Sequence, residues 1–474
     1  MIRTYKVKQY SNKGKEEQIR NVFSAYHQSA NLIAKIQWNL YYTDKHQFNK
    51  FYKSNINSKL SARYIQTCQY QVVGMLKSYI SNVQNRFVDI VKDSTLDEQT
   101  KIKLFYINKY EKYFNKEVIM QKEEISQDII FLSRKIFHHL TKHKPSFNDV
   151  NLALDEKVAD ITENNGLSSF DYWIKLSTLT SGHPIHIPIE SNNYFDSKIG
   201  KLNKFCQINM DRITRKLNIS LIKDIEKRKY IPLTPKIGID IGLKILFSTS
   251  NGDMFGNKFY KKLIHLDNLT MKLQKELQKQ KIPLRTNKKY NNLANIKRNF
   301  VKNEINKALN RLIEIYSPKE IVLENLYFNN PNLSRQMNRM LKTFGKRQIE
   351  QKLACLSEEF DITIIKVNPA YTSQECSSCG YVEETNRKSQ SDFLCKACGA
   401  RKHADVNAGK NVLARSSCKE LSDIYISRKI ILDRLIKRFI ERKASLCSKA
   451  KHVIDENKYF VRYVQNNSVC NVCI

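Results

Sequence analysis

The beginning of the chain carries two hydrophobic periods in succession. Over residues 1–10 apolar side chains alternate with basic ones, a period of two that predicts a β-strand. From about Glu16 apolar residues recur at three- and four-residue steps, which predicts helices that continue, with breaks, to about Asp149. These helices are rich in lysine, tyrosine and phenylalanine. The sequence leaves two interpretations of the aromatic side chains open: packing in a helix core, and stacking on nucleic-acid bases.

Between about Phe170 and Arg228 the period returns to two. The segments YWIKLSTLTSGHPIHIPI and RITRKLNISLIKDI alternate apolar and polar residues, and Ser-Gly and Gly-His-Pro mark turns. We expect these strands to form a small sheet or barrel. The strand at residues 1–10 is expected to join it, with the helices inserted between.

From Pro235 onward strands and helices alternate. The run KIGIDIGLKILFSTSNGDMFG predicts a hairpin, because Asn-Gly between apolar segments is the strongest short hairpin signal. A basic helical stretch (258–316), the buried strand PKEIVLENL, a helix at about 332–359 and the strand ITIIKV follow. The chain after about Ser416 is again helical and basic.

The charge balance narrows the class of partner. The 474 residues include 81 lysines and arginines against 46 acidic residues, a formal net charge of +35. Such an excess is self-repelling unless a polyanion neutralises it, which favours nucleic acid, with an anionic membrane surface as the alternative. No apolar run approaches the length of a membrane-spanning helix, and the N-terminus lacks the apolar core of a signal peptide. We therefore expect a cytoplasmic protein, with no membrane partner.

Four cysteines form two Cys-x-x-Cys pairs, Cys376 with Cys379 and Cys395 with Cys398. In a reducing compartment such clusters indicate metal ligands sooner than disulfides. A glycine follows the second cysteine of each pair, where a tight turn needs an unusual backbone angle. The spacing predicts a zinc ribbon with a closed, structural Zn²⁺ site.

The other seven cysteines give weaker signals. Cys470 and Cys473 form a single pair without a partner pair, which is half a site at best and stays unexplained. The remaining five are most simply small core or surface residues.

Three carboxylates occupy unusual positions. Asp240 lies among isoleucines in an apolar strand, where burying a carboxylate is costly unless a cation or donor compensates it; the alternative is an edge strand with Asp240 in water. Glu324 ends a buried strand, where α/β folds place their chemistry. Asp405 begins a predicted helix, and taken alone it could be a simple N-cap or first-turn acid. Gathered at one end of a mixed sheet, the three could bind two Mg²⁺ ions that hydrolyse a phosphodiester.

These segments, in this order, resemble the split RuvC-type nuclease of the TnpB family of transposon-encoded RNA-guided nucleases, to which the compact type V CRISPR effector nucleases are similar. The resemblance covers roughly residues 236–415. It rests on the four-cysteine ribbon and on Gly238-Ile-Asp-Ile-Gly242, Leu323-Glu-Asn325, Asn368-Pro-Ala-Tyr-Thr-Ser373 and His403-Ala-Asp-Val-Asn-Ala408.

The resemblance implies a multidomain α+β fold. In it a RuvC/RNase H-like nuclease domain with an inserted zinc ribbon follows a small wedge β-barrel, which carries an inserted helical recognition domain. The implied segments are 1–44 (start of the barrel and first helix), 45–165 (helical recognition), 166–235 (barrel), 236–370 (nuclease), 371–402 (ribbon), 403–415 (last nuclease helix) and 416–474 (basic helical tail). The tail lies outside the resemblance.

The resemblance also implies roles for single residues. Asp240, Glu324 and Asp405 would be the catalytic triad that holds Mg²⁺, and the four ribbon cysteines would hold zinc. Arg387, in the segment NRKSQ of the ribbon, would reach the active site, although an ordinary solvated arginine is an equal alternative. The ribbon would hold the strand from Ile362 and the Asp405 helix in register.

The implied activity is RNA-guided cleavage of double-stranded DNA. A guide RNA would pair with the target, and a single RuvC-like site would cut both strands in turn. A compact type V CRISPR effector, a DNA transposase and a nuclease-silent RNA-guided DNA-binding repressor are the alternatives. The ribbon between the second and third acids argues against the transposase, and the intact triad argues against the repressor. The sequence does not distinguish a monomer from a homodimer.

Overall fold

The computed structural model of the chain describes residues 1–43, 56–164, 166, 168–211, 215–227, 229–325, 338–340, 346–389, 391–443 and 457–467. The chain divides into two compact units, Met1–Glu226 and Lys227–Ile474. Across these described stretches no helix has both the length and the apolar character that crossing a membrane requires.

The first unit combines a large antiparallel sheet with a group of helices. Its strands are β1 (Ile2–Gln9), β2 (Ile119–Met120), β3 (Glu123–Glu124), β4 (Leu152–Leu154), β5 (Ala159–Glu163), β6 (Tyr172–Leu176), β7 (Ile185–Glu190), β8 (Gly200–Met210) and β9 (Leu217–Ile225). Its helices are α1 (Lys13–Thr43), α2 (Ala62–Lys92), α3 (Glu98–Lys109), α4 (Gln127–Leu140) and α5 (Asn193–Asp196).

Seven of these strands form one sheet in the order β4-β8-β9-β1-β7-β6-β5, which is nearly closed and barrel-like. Strand β1 lies at its centre, paired antiparallel with β9 and β7, which confirms that the opening strand joins the later ones. The sheet also includes β4 and β5, which precede the boundary at residue 166 expected from the sequence. These two strands are too short to display an alternating pattern of their own.

The aromatic residues of the helices are divided between core and surface. Tyr26, Tyr64 and Phe87 are fully buried in the core that α1 and α2 share with the sheet, so the core interpretation is confirmed for them. Tyr70 and Tyr110 are exposed. For those two side chains stacking on bases stays a prediction.

The second unit is a mixed sheet with helices and a cysteine-containing insertion. Its strands are β10 (Thr234–Ile241), β11 (Phe247–Thr249), β12 (Met254–Phe255), β13 (Pro318–Glu324), β14 (Thr363–Val367), β15 (Asp392–Leu394) and β16 (Arg401–His403). Its helices are α6 (Phe259–Lys279), α7 (Lys288–Tyr316), α8 (Lys346–Phe360), α9 (Ala404–Arg415), α10 (Lys419–Ser422), α11 (Arg428–Lys443) and α12 (Lys458–Asn467).

The main sheet of this unit has the order β12-β11-β10-β13-β14. Strands β10, β13 and β14 are parallel, whereas β11 and β12 fold back antiparallel through the predicted Asn251-Gly252 hairpin. The basic stretch expected over 258–316 is two helices, α6 and α7, separated by a short 3₁₀ turn at Leu284–Thr286 after Pro283. The predicted start of the next helix, near residue 332, lies outside the described residues.

Alternate residues of β10 and β13 face opposite sides of the sheet. Ile237 and Ile239 pack in the core that includes α6 and α7, together with Leu323. Val322 faces the other side and packs against Val412 of α9. Residues 240 and 324 continue the series that faces α9, so this arrangement directs two of the three candidate carboxylates toward that helix.

Candidate metal centres

Asp240 and Glu324 lie side by side at the carboxyl ends of two parallel strands. Ile239 of β10 pairs with Leu323 of β13, and the two acids come next along each strand. Glu324 is buried and Asp240 is half-buried. Because β10 has β11 on one side and β13 on the other, the edge-strand alternative for Asp240 is wrong.

Helix α9 packs directly on this end of the sheet because two glycines meet there. A Cβ atom on Gly238 would lie 2.3 Å from the backbone oxygen of Gly409, closer than real atoms approach. A Cβ on Gly409 would lie 3.1 Å from the backbone nitrogen of Ser250. Asp405 is one turn before Gly409, so it lies on the helix face that contacts the sheet.

Asp405 is a buried first-turn residue of α9, but it is not the N-cap. His403 caps the helix, and its ring Nδ1 accepts a hydrogen bond from the backbone nitrogen of Asp405 at 3.3 Å. The N-cap alternative for Asp405 is therefore wrong, whereas its position in the first turn is confirmed. Its carboxylate instead accepts a hydrogen bond from Arg387, whose Nη2 lies 2.8 Å from Asp405 Oδ1.

The three acids form a group of mutually repelling charges. Burial raises the pKa of Asp240 well above its usual value, and the negative charges of Glu324 and Asp405 raise it further, while Arg387 opposes the shift. Burial also raises the pKa of Glu324, against a hydrogen bond from the Thr372 hydroxyl and the charges of two arginines. A cluster of this kind is relieved by bound cations.

The three acids offer oxygen donors, but not at the mutual spacing of a single-ion site. Carboxylate oxygens are the hard ligands that Mg²⁺ prefers. The oxygens of the three acids do not all lie within 4.8 Å of one another; within the described part of the chain, the four cysteines are the set of three or more groups that meets this limit. Two ions about 3.5–4 Å apart need a wider set of carboxylates than one ion does.

The four cysteine sulfurs converge on one point. Cys376 Sγ lies 3.8 Å from Cys398 Sγ, and Cys379 Sγ lies 3.6 Å from Cys395 Sγ. Sulfurs at the corners of a tetrahedron with Zn–S bonds of about 2.3 Å are about 3.8 Å apart. The cluster therefore has the dimensions of a structural zinc site, which is consistent with the predicted zinc ligands, and zinc binding itself stays a prediction.

Two matching backbone turns shape the cysteine cluster. The nitrogen of Gly380 donates to Cys376 O at 2.8 Å, and that of Gly399 donates to Cys395 O at 2.9 Å. Both glycines have positive φ, 84° and 70°, a conformation that favours glycine over other residues. Each turn points two thiols toward the same centre.

The ribbon also places Arg387 beside the acids. Asn386 is fully buried between the two turns: its Nδ2 donates to Gln374 O at 3.1 Å, and its Oδ1 accepts from Lys396 N at 3.1 Å. The backbone of Arg387 then bridges to Phe393 of β15. The arginine is thus held by the ribbon at its backbone, and by Asp405 at its side chain.

A row of polar residues on α9 was missed from the sequence. Asn407, Asn411 and Arg415 recur every four residues and are buried, on a different face from Asp405. Asn407 and Asn411 donate to Glu375 O at 2.8 and 2.6 Å. The Arg415 guanidinium pairs with the Glu375 carboxylate at 3.0 Å. The four-residue spacing was a visible signal, but it is equally typical of a solvent-facing stripe.

The C-terminal helices complete the core of the ribbon. Tyr381 stacks on Phe460 of α12, with ring centres 5.5 Å apart, and contacts Phe439 of α11. Asn457 Nδ2 donates to the Tyr381 hydroxyl at 2.7 Å. Apolar residues of α11 and α12 therefore share one hydrophobic core with the cysteine cluster. Cys470 and Cys473 lie outside the described residues.

Comparison with known proteins agrees with the motifs. Residues 347–412, which contain all four cysteines, Arg387 and Asp405, match the family described as Cas12f1-like, TNB domain. A CRISPR-associated endodeoxyribonuclease Cas12f1 of Sulfoacidibacillus thermotolerans is 41% identical over 75 residues, 16% of this chain and 18% of that protein. A TnpB-like protein of Aquifex aeolicus is 40% identical over 77 residues, 16% of this chain and 25% of that protein.

A longer alignment is to the Escherichia coli K12 protein named "Putative RNA-guided DNA endonuclease InsQ". It is 29% identical over 206 residues, 39% of this chain and 49% of that protein. The chain therefore spans at most about half the length of these curated relatives. The resemblance to TnpB-like and Cas12f1 proteins expected from the motifs is confirmed.

Proposed function

We propose that this chain is an RNA-guided DNA endonuclease with a single RuvC-like active site. The observation that carries the proposal is the meeting of Asp240, Glu324 and Asp405 at one end of a mixed sheet, in a segment whose relatives are named as nucleases. The strand order, with two antiparallel strands beside three parallel ones, supports the RNase H-like fold that the resemblance implies.

The three acids would hold two Mg²⁺ ions. When bound, the ions supply an activated water and stabilise the leaving oxygen of the phosphodiester. Arg387 orients the Asp405 carboxylate through its hydrogen bond and offers a positive charge to the cleaved phosphate. The ribbon, held by Zn²⁺ on its four cysteines, keeps that arginine at the site.

The excess of basic residues supports a nucleic-acid complex as the working form. A net charge of +35 matches a protein that binds a guide RNA and a double-stranded DNA target through their phosphates. We propose that the helical and barrel-like unit, Met1–Glu226, binds the guide–target duplex by its backbone, while base pairing supplies the sequence specificity.

Transposon-encoded and CRISPR-associated proteins of this kind would share this chemistry, so the neighbouring genes distinguish them. Transposon ends support the first origin and a repeat array supports the second. A DNA transposase is less well supported, because the cysteine ribbon lies between the second and third acids and contributes Arg387 to the site. A silent repressor is less well supported because all three acids are present.

The test is purification of the full chain after expression with its native flanking DNA. We expect RNA to copurify, and the complex to cleave DNA that matches the guide in the presence of Mg²⁺. The control is the same protein after ribonuclease treatment. Equal cleavage by the RNA-free protein would contradict RNA guidance, strand joining would indicate a transposase, and guide-dependent binding without cleavage would indicate a repressor.

A further inference from the structure

Glu324 receives a hydrogen bond from a residue outside the triad. The Thr372 hydroxyl, in the loop after β14, donates to Glu324 Oε1. Thr372 is 3% exposed, so water does not compete freely for this bond. The same hydroxyl lies 3.0 Å from Pro369 O, and of these two acceptors the charged carboxylate forms the stronger hydrogen bond.

This bond fixes how Glu324 presents its carboxylate. A glutamate side chain has three rotatable bonds, and burial against a strand does not by itself select one orientation of its two oxygens. Engaging Oε1 orients the group and leaves Oε2 for another ligand. Hydrogen-bonded partners of this type set the geometry of metal ligands in proteins.

Helix α9 in turn holds Thr372 in place. Asn411 Nδ2 donates to the backbone oxygen of Thr372 at 2.8 Å. One turn later, Arg415 Nη1 donates to the backbone oxygen of Asn368 at 2.7 Å, at the start of the same loop. The helix that carries Asp405 therefore also fixes the loop that orients Glu324.

We propose that Thr372 is a positioning residue for metal binding at Glu324. Helix α9 then positions two of the three acids: it carries Asp405 directly, and it positions Glu324 through Asn411 and Thr372. This inference rests on the nuclease function proposed above. It assigns the loop after β14 a role in metal affinity rather than in binding nucleic acid.

The experiment compares Thr372→Val, which keeps the shape and removes the hydroxyl, with Thr372→Ser, which keeps the hydroxyl. Thr270→Val is the matched control, because Thr270 is also buried and donates to a backbone oxygen, Leu266 O at 2.7 Å, within α6. Two quantities are measured on guide-bound protein: the Mg²⁺ concentration for half-maximal cleavage, and the rise in melting temperature that Mg²⁺ causes. Glu324→Gln is the reference variant for both quantities.

We expect Thr372→Val to need about 10–100-fold more Mg²⁺ and to lose most of the Mg²⁺-dependent rise in melting temperature. Thr372→Ser and Thr270→Val should stay close to the parent in the Mg²⁺ requirement and in the Mg²⁺-dependent rise in melting temperature. A Thr372→Val protein that responds to Mg²⁺ like Thr270→Val overturns the positioning role. If Thr372→Val does not fold, Thr372→Ala carries the same expectation, since a smaller side chain cannot clash.

The two readouts separate this inference from the proposed function. A parent that gains stability with Mg²⁺ but does not cleave contradicts the nuclease, and a loss of that gain in Thr372→Val still supports the positioning role. A parent that cleaves with Mg²⁺, alongside an unaffected Thr372→Val, contradicts only the positioning role. A parent without any Mg²⁺ response overturns both.

Discussion

The cysteine cluster and the acid cluster are neighbours that assemble in opposite ways. The four cysteines lie close together in the sequence, and two local turns bring their sulfurs to the separations of a zinc tetrahedron. The acids come from β10, β13 and α9, far apart in the chain, and their charges oppose their meeting. The cysteine cluster is formed by local turns of one segment, whereas the acid cluster is formed by the packing of β10, β13 and α9.

This difference predicts where each metal's effect is felt. A closed thiolate site contributes its binding free energy to the local fold. A group of buried carboxylates does the reverse, since it costs stability until cations arrive. Zinc removal should therefore damage structure first, and loss of an acid should damage chemistry while leaving structure unharmed.

Loss of an acid is expected to have the largest effect on cleavage. Asp240→Ala should lower the cleavage rate by about 10³-fold or more, because the metal geometry is lost, while guide-dependent DNA binding stays nearly intact. Glu324→Ala and Asp405→Ala should behave alike. Cleavage and gel-shift assays with Mg²⁺ measure both, with Asp361→Ala as a control, since the Asp361 side chain is 93% exposed. Cleavage by Asp405→Ala at near the parent rate would contradict the triad.

Loss of a thiolate should act on stability instead. Cys395→Ser opens the closed site, so we expect loss of bound zinc and a fall in melting temperature of roughly 5–10 °C. Metal analysis and thermal unfolding measure the two. Cys355→Ser, a half-buried cysteine outside the cluster, should keep both at parent values. Unchanged zinc content in Cys395→Ser would refute the assignment.

Arg387 lies in the ribbon and contacts Asp405, so changing it should separate the effect on cleavage from the effect on zinc binding. Arg387→Ala removes the hydrogen bond to Asp405 without touching a sulfur, so cleavage should fall about 10–100-fold with zinc content unchanged. Arg387→Lys should not restore activity, because an ammonium does not reproduce the planar guanidinium. Lys388→Ala, at the exposed next residue, is the control. Parent activity in Arg387→Ala would make it an ordinary surface arginine.

The smallest effect is a gain in stability. The pKa of Asp240 is higher in the folded protein than in the unfolded chain. Its contribution to stability is therefore full below the unfolded pKa and is lost as pH rises toward the folded pKa. Asp240→Asn removes this loss, so without Mg²⁺ it should melt about 2–4 °C above the parent at neutral pH, with a flatter pH dependence.

Thermal unfolding across the range from mildly acidic to neutral pH, in Mg²⁺-free buffer without a chelator that would remove zinc, checks this expectation. Asp361→Asn controls for the change of net charge at an exposed site. A melting temperature of Asp240→Asn at or below that of the parent would show that burial and the neighbouring acids do not destabilise the ionised Asp240 carboxylate.

The same contrast explains how much was visible from the sequence. Cysteine spacing determines a zinc ligand set because the turns are local. Asp240 was recognisable because a carboxylate among isoleucines needs a compensating partner. Asp405 was ambiguous, since a first-turn acid is common, and only the fold assigns the cap to His403.

Two other features, the buried polar row on α9 and the contacts of the C-terminal helices, could not be predicted from the local sequence pattern. The buried row on α9, with Asn411 and Arg415, has the same four-residue period as a solvated stripe, and burial distinguishes the two. The basic C-terminal helices showed no partner in their sequence, because the aromatic contacts of Phe439 and Phe460 are with Tyr381, far earlier in the chain. Long-range contacts of this kind depend on the packing of the whole unit.

The contact between Gly238 and Gly409 bears on how active relatives of this chain can be recognised from their sequences. A side chain at Gly238 would push α9 away from β10 and carry Asp405 away from Asp240, and a Cβ atom at Gly409 would lie tightly against the backbone of residues 248–250. A related chain could thus keep all three acids and all four cysteines and still lack the cleavage activity proposed here. Active and inactive relatives are better distinguished by comparing these two glycines as well as the acids. The acid centre requires close packing of α9 on the sheet as much as it requires its ligands.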